Sequence, residues 1–240
     1  MPEPSRLFVP PPHYGGIRVV GSFAELAAAT FGAGVNALCW PRALRGDFAE
    51  VVSRLPRERG IASIDDATLA ALELSPAGQV ARDFLLEDQE RLRGLELDPV
   101  LDCINGYAPS TREEAIPTHV QSWHVDSATV EADTWLCTYV GASTEGLRNE
   151  DGQRRVDVAE TRAALLEGYG GADDGDFLEY LADHCYDLHY QARPGAQPWS
   201  FGLGNLWRIA CEYPNSPVLP CLHRAPATVA GQGPRLLLLS

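Results

Sequence analysis

The run Trp123-His124-Val125-Asp126 sets a histidine and an aspartate two residues apart. In a strand, residues i and i+2 point to the same side, so one imidazole and one carboxylate can share a metal ion. A third ligand must come from elsewhere, and the late run Leu219-Pro220-Cys221-Leu222-His223 offers a histidine. Two imidazoles and one carboxylate make the facial set that leaves positions open on non-haem iron(II) for a substrate and dioxygen. Beyond His223 lies Arg235, inside the run Pro234-Arg235-Leu236-Leu237-Leu238-Leu239. An arginine in an apolar strand is costly to bury unless an anion matches it, and its planar fork fits a carboxylate. Arg224, next to His223, is an alternative clamp.

Other polar groupings carry less. Asp183, His184, Asp187 and His189 lie close in sequence, but at helical spacing they read as a solvated acidic face with a histidine at a helix end. The stretch Gly170-Gly171-Ala172-Asp173-Asp174-Gly175 lacks the ligand spacing of a calcium loop. Gly202-Leu203-Gly204 is too short for a nucleotide fingerprint, and no phosphate-binding glycine loop is present.

The elements that must position these residues fall into two textures. Residues 1–94 read as a mostly helical layer. Ser22 caps a helix over 23–31, apolar spacing predicts a second over 41–55, and Ser75-Pro76 opens a third that runs to 93 and stops at Gly94. A short strand over 35–40 lies between the first two. After residue 94 the texture turns to β, with strands expected over 95–104, 118–125, 134–140, 199–209, 218–223 and 235–239. Helical stretches at 158–168 and 176–186 interrupt them, which predicts an insertion over about 141–198. The expected architecture is one domain over 1–240, mainly β with flanking helices: an antiparallel sandwich or barrel at 95–240 beneath the helical layer.

Composition bounds the function. A formal charge of −14 argues against nucleic acid or an anionic membrane surface, both of which need basic faces. A small-molecule substrate is the better expectation. No apolar run approaches the roughly 18 residues that span a bilayer, and the start lacks a basic segment before an apolar one. The six cysteines are scattered without a C-x-x-C pair and read mostly as buried thiols. The expected setting is cytoplasmic, as a monomer or homodimer. Abundant Ala, Gly, Asp and Arg with a single Met suggest a GC-rich bacterial genome.

The order H-x-D, a distant His, then an Arg about ten to twelve residues on resembles the iron(II)- and 2-oxoglutarate-dependent oxygenase superfamily, over roughly 97–240. The stretch from Leu136 to Leu147, Cys-Thr-Tyr-Val-Gly followed by Thr-Glu-Gly-Leu, looks like the strand and turn that follow H-x-D there. These motifs, with His-Arg-Ala-Pro and a closing Gly-Pro-Arg-Leu-Leu-Leu, are also similar to a narrower bacterial family that contributes no reaction.

The superfamily resemblance implies a double-stranded β-helix core of the jelly-roll or cupin kind. It implies iron(II) on His124, Asp126 and His223, and Arg235 on the distal carboxylate of 2-oxoglutarate. It also implies Tyr139 as a second contact to that co-substrate, and dioxygen as oxidant. The chain departs from the pattern at Leu237, where many members carry Ser or Thr. Asp126 completes the triad, so halogenation at an open ligand position is disfavoured, while hydroxylation, desaturation and ring formation stay open.

Plainer readings stand beside each. His124 and Asp126 could bond each other in a polar strand, His223 could be a core histidine, Arg235 could close an internal ion pair, and Tyr139 could be packing. The alternatives in function are a cupin-like divalent-metal binder or a zinc hydrolase that works without 2-oxoglutarate.

Overall fold

The computed structural model describes residues 8–12, 14–56, 59–107, 116–227, 229 and 231–240. In chain order its elements are β1 (Ile17–Val19), α1 (Phe23–Ala28), β2 (Ala37–Trp40), α2 (Phe48–Arg54), β3 (Gly60–Ser63), α3 (Asp66–Ala70), α4 (Pro76–Arg93), β4 (Val100–Asn105), β5 (Trp123–His124), β6 (Asp133–Val140), β7 (Glu145–Leu147), β8 (Gly152–Arg154), α5 (Ala159–Tyr169), α6 (Gly175–Asp183), β9 (His189–Ala192), β10 (Trp199–Ser200), β11 (Leu206–Ala210), β12 (Leu222–Arg224) and β13 (Arg235–Leu239). The strands form two sheets, a seven-stranded one ordered β1-β2-β11-β6-β13-β4-β3 and a six-stranded one ordered β10-β7-β12-β5-β9-β8. Among the described residues no helix is long and apolar enough to cross a membrane.

Local chemistry explains the helices. The Ser22, Asp47, Asp65 and Ser75 side chains each accept from a backbone N–H in the first turn of α1, α2, α3 and α4, satisfying donors the helix cannot pair internally. Pro76 starts α4, and Gly94 closes it as expected. The helix expected from residue 41 starts only at Phe48. Gly46 at φ +102 turns the chain just before it, where an added Cβ would lie 2.5 Å from the Ala81 nitrogen of α4.

The larger sheet is covered on both faces, which is why its strands read as near-continuous apolar runs. On β6 and β13, Trp135, Cys137, Tyr139, Leu236 and Leu238 pack into a core with Leu85 and Leu92 of α4 and Val51 of α2. The alternate residues Leu136 and Leu237 belong to a second core with Trp199, Phe201 and Trp207. This two-residue alternation decides which side chains reach the space between the sheets.

Two boundaries of the sequence reading change. The N-terminal segment is not only a helical layer, because β1 and β2 extend one end of the larger sheet and β3 the other. β1 and β3 have three and four residues, too few for a period to show against the neighbouring helices. The segment 141–198 contributes β7, β8 and β9 to the smaller sheet, leaving α5 and α6 as its helical part. These helices close a satellite cluster of Ile116, Val156, Leu165, Phe177 and Leu181. The single strand expected over 199–209 is divided into β10 and β11, which lie in different sheets. Gly202 and Gly204, at φ +73 and +75, carry the chain across.

Candidate metal centre and its cavity

His124, Asp126 and His223 converge. Their ligand atoms all lie within 4.8 Å of one another, and they are the metal-competent group found among the described residues. β5 supplies His124 and β12 supplies His223, directly paired in the smaller sheet, with ring centroids 4.5 Å apart. Strand β5 is shorter than expected, so ladder bonding alone does not position Asp126. Val125 N–H donates to Leu188 O at 3.1 Å, and Asp126 O accepts from Glu212 N–H at 2.7 Å. The extended run is thus held on both sides as it passes from one sheet toward the other.

The protonation pattern suits a cation. Nδ1 of His124 lies 2.7 Å from Ser122 O, and Nδ1 of His223 lies 3.1 Å from Cys221 O. A carbonyl only accepts, so each Nδ1 carries the proton and each Nε2 presents a lone pair. Nε2 of His124 is 3.9 Å from Asp126 Oδ1, and Nε2 of His223 is 3.7 Å from Asp126 Oδ2. These spacings bring both Nε2 atoms and the Asp126 carboxylate within reach of a single ion after a modest side-chain movement.

Burial, reinforced by His223, pushes His124 down to about 4 and keeps it neutral at pH 7. Burial would raise the Asp126 carboxyl, but His223, the Thr134 hydroxyl and His124 together outweigh it and hold the group below its ordinary value. Thr134 Oγ1 donates to Asp126 Oδ2 at 2.5 Å and fixes the carboxylate.

The three residues open into a cavity of about 510 Å³ that is also lined by Ile104, Leu136, Leu237 and Arg235, a size usual for small-molecule sites. Arg235 is 6% exposed. Its guanidinium donates to Tyr107 Oη at 3.1 Å, to Thr138 Oγ1 at 3.3 Å and closely to Thr144 Oγ1, while Nε has no partner among the described residues. No carboxylate of the described residues pairs with it, so the internal ion pair that was its plainer reading is not formed there. Burial lowers its pKa, opposed by Tyr107. Gly141, at φ +87, lets the chain after β6 approach it; a Cβ there would stand 2.9 Å from Arg235 Cα.

Two expected co-substrate contacts lie elsewhere. Tyr139 is on the helical face of β6, stacked on Phe48 at 5.5 Å, and its hydroxyl donates to Asp88 Oδ2 at 2.6 Å. Asp88 also holds Arg42 and Arg91 at 2.6 and 2.8 Å. Tyr139 therefore serves the core, and alternation turns Thr138 to the opposite face, where it meets Arg235. Replacing Tyr139 with Phe should cost about 2 kcal/mol of folding free energy, since a charged acceptor loses a buried partner. It should leave ligand binding in the cavity unchanged; denaturant unfolding and calorimetry measure the two separately.

Arg224, next to His223 on β12, points to the other side of the smaller sheet. Its Nε donates to Glu145 Oε2 at 2.7 Å, and its guanidinium lies 4.3 Å from the Trp123 ring centroid. It is already matched and offers no free guanidinium to the cavity.

Sequence reading missed Thr134, Thr138, Thr144, Tyr107 and His189. Thr138 and Thr144 lie inside motifs that drew attention only to their neighbours, and Tyr107 follows β4 without a motif. His189, grouped with a solvated helix end, instead pairs with His124 across β5 and β9, with ring centroids 5.8 Å apart. His184 of the same group is exposed at the end of α6, as expected. All six cysteines are free, five of them buried. No family model, no curated protein and no solved structure matches the chain.

Proposed function

We propose that this protein is an iron(II)- and 2-oxoglutarate-dependent oxygenase that oxidises a small molecule, with hydroxylation the simplest outcome. One observation carries the reading: a buried arginine without a carboxylate partner among the described residues shares its cavity with a two-histidine, one-carboxylate group. A passive metal store has no use for that arginine.

Fold order supports the reading. Strands β4, β13, β6 and β11 are consecutive in one sheet and β5, β12, β7 and β10 in the other. In chain order these eight strands change sheet at every step except from β7 to β10, which pair within the smaller sheet, an order that agrees with a double-stranded β-helix of the jelly-roll kind whose insertion carries β8, α5, α6 and β9. Leu237, where the resemblance leads one to expect a hydroxyl, pairs across the ladder with Thr138. Thr138 thus brings a hydroxyl to the Arg235 guanidinium from the neighbouring strand.

His124, Asp126 and His223 would hold the iron on one side, keeping their Nε2 and carboxylate atoms forward through Ser122 O, Cys221 O and Thr134. Iron(II) with 2-oxoglutarate supplies dioxygen activation, one oxygen atom ending in succinate, the other in the substrate, and carbon dioxide leaving. The Arg235 fork would take the distal carboxylate, with the Thr138, Thr144 and Tyr107 hydroxyls around it. Leu136, Leu237 and Ile104 exclude water from the walls, which strengthens that ion pair.

The test is stoichiometric. The full chain with iron(II), 2-oxoglutarate and air should convert 2-oxoglutarate to succinate, at a basal rate before any substrate is found. Zinc in place of iron should give none. Absence of succinate under both oxygen and iron, with the metal demonstrably bound, rejects the proposal.

A further inference from the structure

The cavity has a negative side as well as a positive one. On β4, Leu101 and Cys103 face the helices, while Val100, Asp102 and Ile104 line the cavity. Aspartate is disfavoured within strands, and β4 lies inside the larger sheet, flanked by β13 and β3. Asp102 accepts from Ser63 Oγ of β3 at 2.7 Å, and no arginine of the described residues pairs with it. Asp98, exposed, lines the rim of the same cavity.

Register separates this carboxylate from the guanidinium. Arg235 pairs with Ile104, and Leu237 pairs with Asp102, so the two charged residues are diagonal neighbours on adjoining strands, about 7 Å apart at the backbone. They do not bond each other. Arg235 leans over β6 to Thr138, whereas Asp102 is held on the opposite side by β3. A cavity in which, among the described residues, the arginine keeps an unpartnered Nε and the aspartate an unmatched charge is built for a guest or guests bearing both signs.

We infer that Asp102, with Asp98 at the rim, is a cation subsite, and that the substrate carries a protonated amine or guanidinium group; this rests on reading the cavity as an active site. The distal carboxylate of 2-oxoglutarate answers Arg235, and the cationic nitrogen of the substrate answers Asp102. The apolar walls between them accommodate a short carbon chain.

Calorimetry on the full chain tests this with three probes of equal length: hexylammonium, 1-hexanol and hexanoate. Hexylammonium should bind about tenfold more tightly than 1-hexanol, as expected for a half-buried ion pair. Asp102→Asn keeps the shape and the Ser63 hydrogen bond, and should erase most of that preference without moving the thermal midpoint; Asp98→Asn should weaken it less. Equal binding of hexylammonium and 1-hexanol, no binding of hexylammonium, or a preference that survives the double Asn variant would each overturn the subsite.

The calorimetry is made with and without iron(II) and 2-oxoglutarate under argon, and succinate formation is measured separately in air, so the two ideas fail separately. A cation preference without succinate formation keeps the subsite and removes the oxygenase. Succinate formation without a cation preference does the reverse.

Discussion

Replacing His124 or Asp126 with Ala should abolish iron(II) uptake, which is expected at one ion per molecule in the wild-type chain. Partners one layer out from a metal typically contribute ten- to a hundredfold in affinity. A direct ligand from a set of three must therefore be worth about a hundredfold or more, or roughly 3 kcal/mol. Thr134→Val offers a graded control, because its hydroxyl is not a ligand but holds the carboxylate through Asp126 Oδ2. It should fall between wild type and the two alanine variants. Anaerobic calorimetry reads stoichiometry and affinity together, and a thermal melt on the same samples separates ligand loss from unfolding. Unchanged binding in both alanine variants would mean that the convergence of these three side chains is a polar packing arrangement and not a metal site.

How far the sequence carried the site depends on what each residue's role requires. H-x-D is a local pattern, and it predicted correctly that His124 and Asp126 face the same way. The reason differs in part, since β5 ends at His124 and Asp126 owes its position to backbone bonds with Glu212 and the hydroxyl of Thr134. Arg235 was visible because a charge inside an apolar run demands explanation. Tyr139 was misassigned although the period-2 rule already held the answer: with Leu136 on the cavity face, residue 138 and not 139 shares it.

His189 was out of reach. Its neighbours Asp183 and His184 suggested a helix, the chain leaves α6 after Asp183, and the pairing that sets it opposite His124 joins strands 65 residues apart in sequence. The short strands β1, β3, β8 and β9 were missed for the same cause, because three or four residues carry no period and are ordered by neighbours the sequence does not reveal.

Arg235→Leu should leave iron(II) binding close to wild type while weakening 2-oxoglutarate by about 2–5 kcal/mol, the usual loss when one partner of a desolvated charge pair is removed. The change places a somewhat smaller, apolar residue in a strand whose other cavity positions are leucines. The fold has little reason to fail, and removing a buried, partly unmatched charge even favours it. Lys at this position should recover only part of the affinity, because an ammonium is a point charge and cannot span both carboxylate oxygens. Thr138→Val and Thr144→Val should each give a smaller loss, since they orient the guanidinium. The anaerobic absorption band of the iron–2-oxoglutarate chelate gives the titration directly. Arg224→Leu is the matched control: Arg224 is bound to Glu145 and lies against Trp123 on the far side of the smaller sheet, so its loss should leave the titration unchanged. If Arg235→Leu binds 2-oxoglutarate as tightly as wild type while the band is present, the arginine serves another anion and the co-substrate is held elsewhere. If wild type binds iron but never develops the band, the metal site stands and the guest of Arg235 is a different carboxylate.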